Sequence, residues 1–257
     1  MTTRRLSSQV LPIQEIDADF TAKLYRLFAT SYDNVTLARF ESDLAGKDFI
    51  VVLRDAESGE PRGFSTQQIL RLTVDGKPIR ALFSGDTIID PDYWGEQELV
   101  RGWCRVVGQL LAEETEIPLY WLLISKGFRT YLYLPVFYHE FWPRHDLATP
   151  DSAQRILDAL AKSKWPEYYE PSSGLLQFPK SLGNLKSDIA DVPAARMDDP
   201  DVKFFLQRNP TYLRGTELVC LAPISLDNTR SIGRRLIQQA IRECRQQRAS
   251  RTEASCA

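Results

Sequence analysis

The stretch Ser84-Gly85-Asp86-Thr87-Ile88-Ile89-Asp90-Pro91-Asp92-Tyr93-Trp94-Gly95-Glu96-Gln97-Glu98-Leu99 opens a segment, residues 84–127, from which the rest of the chain can be read. It begins as a β pattern and passes into a tight polar turn. Leu99, Trp103, Val106, Val107, Leu110 and Leu111 then fall at the spacing of an amphipathic helix that stops before Pro118. Leu119-Tyr120-Trp121-Leu122-Leu123-Ile124 follows as an unbroken apolar run, the pattern of a parallel strand covered on both faces. A strand–helix–strand unit sets the start of a helix at the carboxyl end of a strand. Its first N–H groups lack partners and its dipole is positive there, so an anionic ligand is expected at this turn.

Upstream, residues 8–16 read as a short strand, which Pro12 confines to a sheet edge. Asp19 opens a helix with Phe20, Leu24, Leu27 and Phe28 on one face, and Val35 to Leu44 a second that Gly46 ends. Phe49-Ile50-Val51-Val52-Leu53 is a strand. Asp75-Gly76 predicts a two-residue hairpin joining strands over 64–74 and 79–89. Downstream, the aromatic stretch Phe128, Tyr131, Tyr133, Phe137, Tyr138, Phe141 and Trp142 contains Pro135 and reads as a helix or broken helix. A helix is expected over 149–163, short helices and loops over 164–215, a strand over 216–224 and a helix from Ser231 to Arg245. One domain over residues 1–245 is expected, with an extension from about 146 and a disordered polar tail over 246–257.

At 257 residues with 43% hydrophobic and 26% charged residues, the chain has the composition of a soluble protein able to bury a core without staples. A net charge of −2 supplies no global attraction to nucleic acid or to an anionic membrane. Arg234, Arg235, Arg242, Arg245 and Arg248 fit a solvated helix face. Cys104, Cys220, Cys244 and Cys256 lack metal-ligand spacing, and the first three look like small core residues. No signal peptide or membrane span is evident, and a cytoplasmic location is expected.

The order of elements, with Ile88-Ile89-Asp90-Pro91-Asp92-Tyr93-Trp94-Gly95 at its centre and Gly127-Phe128 after the second strand, resembles the acyl-coenzyme A N-acyltransferase superfamily related to the Gcn5 acetyltransferases. The resemblance covers roughly residues 8–142 and the strand at 216–224. It implies an α/β fold with a mixed, mostly antiparallel central sheet flanked by helices. It also implies a donor site formed by Ile89, Trp94, Gly95, Glu96, Gln97, Glu98 and Leu99 at the helix start. Gln97 stands where that family carries a second small residue, and Glu96 and Glu98 add negative charge beside a pyrophosphate site.

Asp86, beside Gly85 near the end of a strand, is a candidate base toward an amine, or a polar residue at a bulge. In the resembled family a tyrosine after the fifth strand protonates the leaving thiolate, which points to Tyr131 or Tyr133; both also fit an aromatic core stripe. His139 is a candidate base near neutral pH, or a structural residue among aromatics. Two functions follow. In one, the chain moves an acyl group from a thioester, acyl-coenzyme A or an acyl carrier protein, to the amine of a small molecule. In the other, a non-catalytic ligand-binding or assembly protein keeps the fold without the coenzyme A site.

Overall fold

Asp75 and Gly76 both have positive φ, 52° and 75°, the backbone that a two-residue turn of matching twist needs. The strands they join, β4 (Pro61–Val74) and β5 (Lys77–Ile89), pair antiparallel from Val74 opposite Lys77 to Gly63 opposite Ile89, as the Asp-Gly signal predicts. The computed structural model of the chain describes residues 5–178, 184–185 and 191–255. Around the hairpin lie β1 (Leu6–Pro12), α1 (Ala18–Ser31), β2 (Tyr32–Asp33), α2 (Leu37–Ala45) and β3 (Phe49–Asp55). After it come α3 (Glu98–Glu113), β6 (Leu119–Ser125), α4 (Phe128–Tyr131), α5 (Tyr133–Phe137) and α6 (Asp151–Lys164). The remainder is β7 (Tyr169–Glu170), β8 (Leu175–Leu176), β9 (Asn184–Leu185), α7 (Pro200–Arg208), β10 (Glu217–Ile224) and α8 (Ser231–Ser255).

Among the described residues, eight strands form one sheet in the order β1-β3-β4-β5-β6-β10-β8-β7. All neighbours are antiparallel except β5 and β6, which run parallel through Arg80–Ser84 and Leu119–Leu123. This is the mixed, mostly antiparallel architecture expected. β1 is an edge strand, with Pro12 at its end. β6 is central and packs apolar residues on both faces: Trp121 and Leu123 toward α3, Leu122 toward α6. One face of the sheet is covered by α3, α4, α5 and α8. On the other, α1 and α2 cover β3, the start of β4 and the end of β5, while α6 covers the rest of β5, β6 and β10.

Three boundaries differ from the sequence reading. The first helix is opened by Asp17, whose carboxylate accepts the Phe20 N–H at 2.7 Å, rather than by Asp19. The aromatic stretch breaks into α4 and α5 and then leaves the helix, with Tyr138 bridged to Thr229 and Trp142 to Leu221. The last helix does not stop at Arg245: it runs on to Ser255 through the polar segment expected to be disordered, because a solvated helix needs no apolar periodicity to continue. Within the stretch expected to be irregular, residues 179–183 and 186–190 lie outside the described residues, as does Cys256 in the tail.

A buried arginine fixes α3. Arg80 on β5 is almost fully enclosed; its guanidinium donates to the carbonyls of Leu110, Glu114 and Ile117 and lies 3.3 Å from the Glu114 carboxylate. It thus satisfies carbonyls at the helix C-terminus and opposes the negative end of its dipole. Replacing Arg80 by Met leaves these acceptors buried without a donor. The expected loss is about 3 kcal/mol of unfolding free energy in urea titration; a loss within experimental error of zero would show that water serves the carbonyls equally well.

Candidate functional site

The site begins with a break in strand alternation. On β5, Ile79, Ala81 and Phe83 face α6, and Leu82 faces α3. Strict alternation would send Asp86 and Ile88 to the α3 face as well. Between the pairs Gln67–Ser84 and Ser65–Thr87, however, β4 holds one residue and β5 holds two, Gly85 and Asp86. This bulge reverses the alternation, and Ile88 packs with α1 and α2. Asp86 turns into a cleft of about 640 Å³ between α1–α2 and the end of α6. At the same point β5 and β6 part: their pairing stops at Ser84 and Leu123, while β5 stays with β4 to Ile89.

The cleft walls are charged. Lys47, enclosed behind α2, donates to the Asp43 carboxylate and to the Asp43 carbonyl at 3.1 Å. Lys126 lies 3.3 Å from Glu217, and both are nearly enclosed. Asp86 feels all four. Burial, with Asp43 and Glu217 nearby, pushes its carboxyl up to about 7, against the opposing pull of Lys47 and Lys126. Burial also raises Glu217, opposed by Lys126. Lys164, at the end of α6, is pushed down to about 8 by burial and by Lys47. Tyr32 on the α1 side is raised far above the usual phenol range by burial and by Asp86 and Glu217.

The loop after β5 leads from this break to α3. Pro91–Tyr93 form one 3₁₀ turn, the Tyr93 hydroxyl donates to Asp55 at 2.6 Å, and the Trp94 indole donates to the Ile89 carbonyl at 3.0 Å. Gly95 has φ of 99° and open space where a Cβ would stand. Among the described residues, no backbone carbonyl accepts from the N–H groups of Gln97, Glu98 or Leu99. Glu98 is turned toward β1, where it accepts from Ser8 at 2.8 Å and lies 3.3 Å from Arg101. Half of the loop's expected repulsion toward an anion is therefore engaged elsewhere, and Glu96 remains. Arg129, a cleft residue at the start of α4, stands 5.5 Å over the Trp94 ring and joins cleft and loop.

The other sequence candidates lie apart from the cleft. Tyr131 is enclosed among Phe141, Phe204 and Phe205, and its hydroxyl donates to the Pro143 carbonyl at 2.9 Å; the core reading is the one its surroundings support. Tyr133 is half-buried, stacked on Phe137 on the α3 side, with its phenol raised by burial. His139 is exposed on the loop after α5, held through its backbone by Asn228 and Arg144, and does not line the cleft. The reading of the sequence missed Lys47, Lys126, Lys164 and Glu217. Each is a lone charged residue at the end of an element, and none forms a motif. Among the described residues no group of His, Cys, Asp and Glu is placed to hold a metal ion, and no helix is long and apolar enough to cross a membrane.

No family model matches the chain, and no curated protein matches it in sequence. Solved structures similar to it include a conserved protein from Enterococcus faecalis described as a "Probable N-Acyltransferase", at 14% identity and TM-score 0.39 over 56% of this chain and 37% of that one. A GNAT family N-acetyltransferase from Escherichia coli in complex with CoA matches at 17% identity and TM-score 0.34, over 49% and 67%. The NatC complex bound to Gag peptide and CoA matches at 11% and 0.40, over 86% and 99%. The match thus takes in little more than a third of the Enterococcus protein. Likeness at this level carries no argument.

The Asp86 carboxyl holds its proton more tightly in the fold, near pH 7, than in the unfolded chain, near 3.8. Its contribution to stability is therefore complete below about pH 4 and is lost as pH rises through 7. Urea unfolding at about pH 4, 6 and 8 should show wild type losing stability relative to Asp86→Asn over this range. Wild type holding or gaining stability relative to Asp86→Asn as pH rises would mean that Asp86 is ionised in the fold throughout.

Proposed function

We propose that the chain is an N-acyltransferase that moves an acyl group from a thioester, acyl-coenzyme A or an acyl carrier protein, to the amine of a small molecule. The observation that carries this reading is Asp86: a carboxylate re-aimed by a bulge into a cleft, poised near neutral pH, at the point where two parallel strands part. A general base works best with a pKa near the operating pH. Asp86 takes a proton from the bound ammonium. The freed amine attacks the thioester carbonyl, the C–N bond forms, the C–S bond breaks, the sulfur leaves with the electron pair as a thiolate, and the second proton that the nitrogen sheds balances the one the thiolate takes up. Of the two tyrosines that the family resemblance offers for that proton, we assign it to Tyr133, since the Tyr131 hydroxyl already donates to the Pro143 carbonyl. The donor's phosphates meet the N–H groups of Gln97 to Leu99, where Gly95 permits close approach.

One observation favours the non-catalytic reading: residues 90–98 carry Asp90, Asp92, Glu96 and Glu98 and no basic residue. A thermal-shift titration with acetyl-coenzyme A and longer acyl-coenzyme A species separates the two, because only a donor site gives a saturable rise in Tm. In calorimetry, Gly95→Val should abolish coenzyme A binding and Glu96→Gln should tighten it by a few-fold, while Glu98→Gln should change affinity little because its carboxylate is held at Ser8. No binding by wild type or by Glu96→Gln would remove free coenzyme A as the donor. With an accepted amine in hand, Asp86→Asn should lower kcat by about 100-fold or more. A wild-type rate in that variant would remove Asp86 as base.

A further inference from the structure

The charges of the cleft do not balance among themselves. Asp43 is engaged by Lys47, and Glu217 by Lys126. Lys164 is different. Its ammonium is half-buried, its hydrogen bond goes to the neutral Gln68 amide at 2.5 Å, and among the described residues no carboxylate pairs with it. It stands 4.7 Å from the centroid of the Phe83 ring and 5.4 Å from that of Trp165. Lys47 stands over the same Phe83 ring, at 5.8 Å. Two ammonium groups thus flank one aromatic floor; burial first, and the repulsion of Lys47 second, lower Lys164 against the pull of the Asp43 carboxylate. A half-buried cation with no carboxylate in direct contact is costly, and an anion brought to it recovers much of that cost. Asp86 opens into the same cleft and offers the opposite charge.

From this geometry we propose that the cleft binds an amine that also carries a carboxylate, with Lys164 holding the carboxylate over Phe83 and Asp86 facing the ammonium. The assignment names the acceptor class for the transfer proposed above and rests on that reading for its catalytic meaning. The binding site itself stands on the charges alone. The volume of about 640 Å³ is in the range of small-molecule sites. Lys164 is then a specificity residue: it fixes the end of the acceptor that does not react, and so sets which amines bring their nitrogen to Asp86.

Ligand-detected NMR on the full chain tests it with two matched probes, 4-aminobutyrate and n-butylamine, and with phosphoethanolamine for a phosphate in place of the carboxylate. Wild type should bind 4-aminobutyrate about tenfold or more tightly than n-butylamine, the worth of one charge-assisted hydrogen bond. Lys164→Gln should erase the preference, and Lys164→Arg should retain most of it. Circular dichroism and Tm exclude a misfolded variant, and Lys162→Gln, an exposed change on the same helix, serves as control. Equal affinity for the two amines, no binding of either at millimolar concentration, or a preference that survives in Lys164→Gln would overturn the proposal. Preferred binding of phosphoethanolamine would overturn the carboxylate assignment while keeping the anion site. Acetyl-coenzyme A titrated in parallel keeps the two readings apart. Carboxylate selectivity without acetyl-coenzyme A binding leaves the anion site and removes free coenzyme A as the donor, and acetyl-coenzyme A binding without selectivity keeps the donor and removes the carboxylate site.

Discussion

The arrangement of this protein depends on one extra residue in one strand. Without the bulge at Gly85 and Asp86, β5 would hold its alternation to the end and Asp86 would face the hydrophobic layer under α3. The bulge needs a glycine for a steric reason: a Cβ at position 85 would come within 2.5 Å of the Thr66 hydroxyl and 3.0 Å of the Lys47 side chain. The same two residues mark where β5 lets go of β6. Turning the carboxylate and parting the strands are therefore a single structural event. Inside the sheet the break is stabilised by polar contacts. Ser84 donates to Gln67, Gln67 to Ser65, and Ser65 meets Thr87, while the indoles of Trp103 and Trp121 both donate to Ser84. A chain of hydrogen bonds with its polar atoms satisfied can cross a core at little cost, where an unsatisfied one could not.

The elements on either side hold the break open. Arg80 pins the C-terminal end of α3 to β5, and Gly108 lets α3 approach α8 so closely that a Cβ there would meet Ala240 at 2.5 Å. With its C-terminus anchored and its flank packed, α3 presents its N-terminus at the loop that leaves the parted strands. On the opposite face, α1 and α2 pack through Phe28, Phe40 and Phe64, and α6 through Leu157 and Leu160. These two packings are separate clusters, and the cleft is the gap between them.

Burying this many charges in one cleft works against stability. Desolvation holds Asp86 and Glu217 above, and Lys164 below, the pKa range they would have in water. Apolar replacements would favour the fold more in several of these places. Groups whose environments push their pKa values toward neutrality are the mark of chemistry more often than of architecture. Lys47–Asp43 and Lys126–Glu217 supply the mixed field in which Asp86 reaches its intermediate value, neither fully charged nor fully neutral near pH 7.

The sequence alone determined what depends on short range. Asp75-Gly76 set the hairpin because those residue types tolerate positive φ, the apolar run Leu119–Ile124 set a central strand because it leaves no face for water, and Pro12 set an edge strand because it lacks an N–H. It also placed Asp86 beside a bulge-forming glycine and Gly95 at the start of a helix. The tertiary structure decided everything that needs two distant segments to meet. Whether the Gly85 bulge turned Asp86 toward a cleft or toward the core depended on the register with β4, which no local pattern encodes. Tyr131 and Tyr133 stand two residues apart in sequence, yet Pro143 and the aromatic cluster with α7 enclose only the first. Lys47, Lys126, Lys164 and Glu217 come from four separate places along the chain, and their shared electrostatics exists only once folding has brought them to a common wall, because charge–charge coupling falls off with distance in space and is blind to distance along the chain.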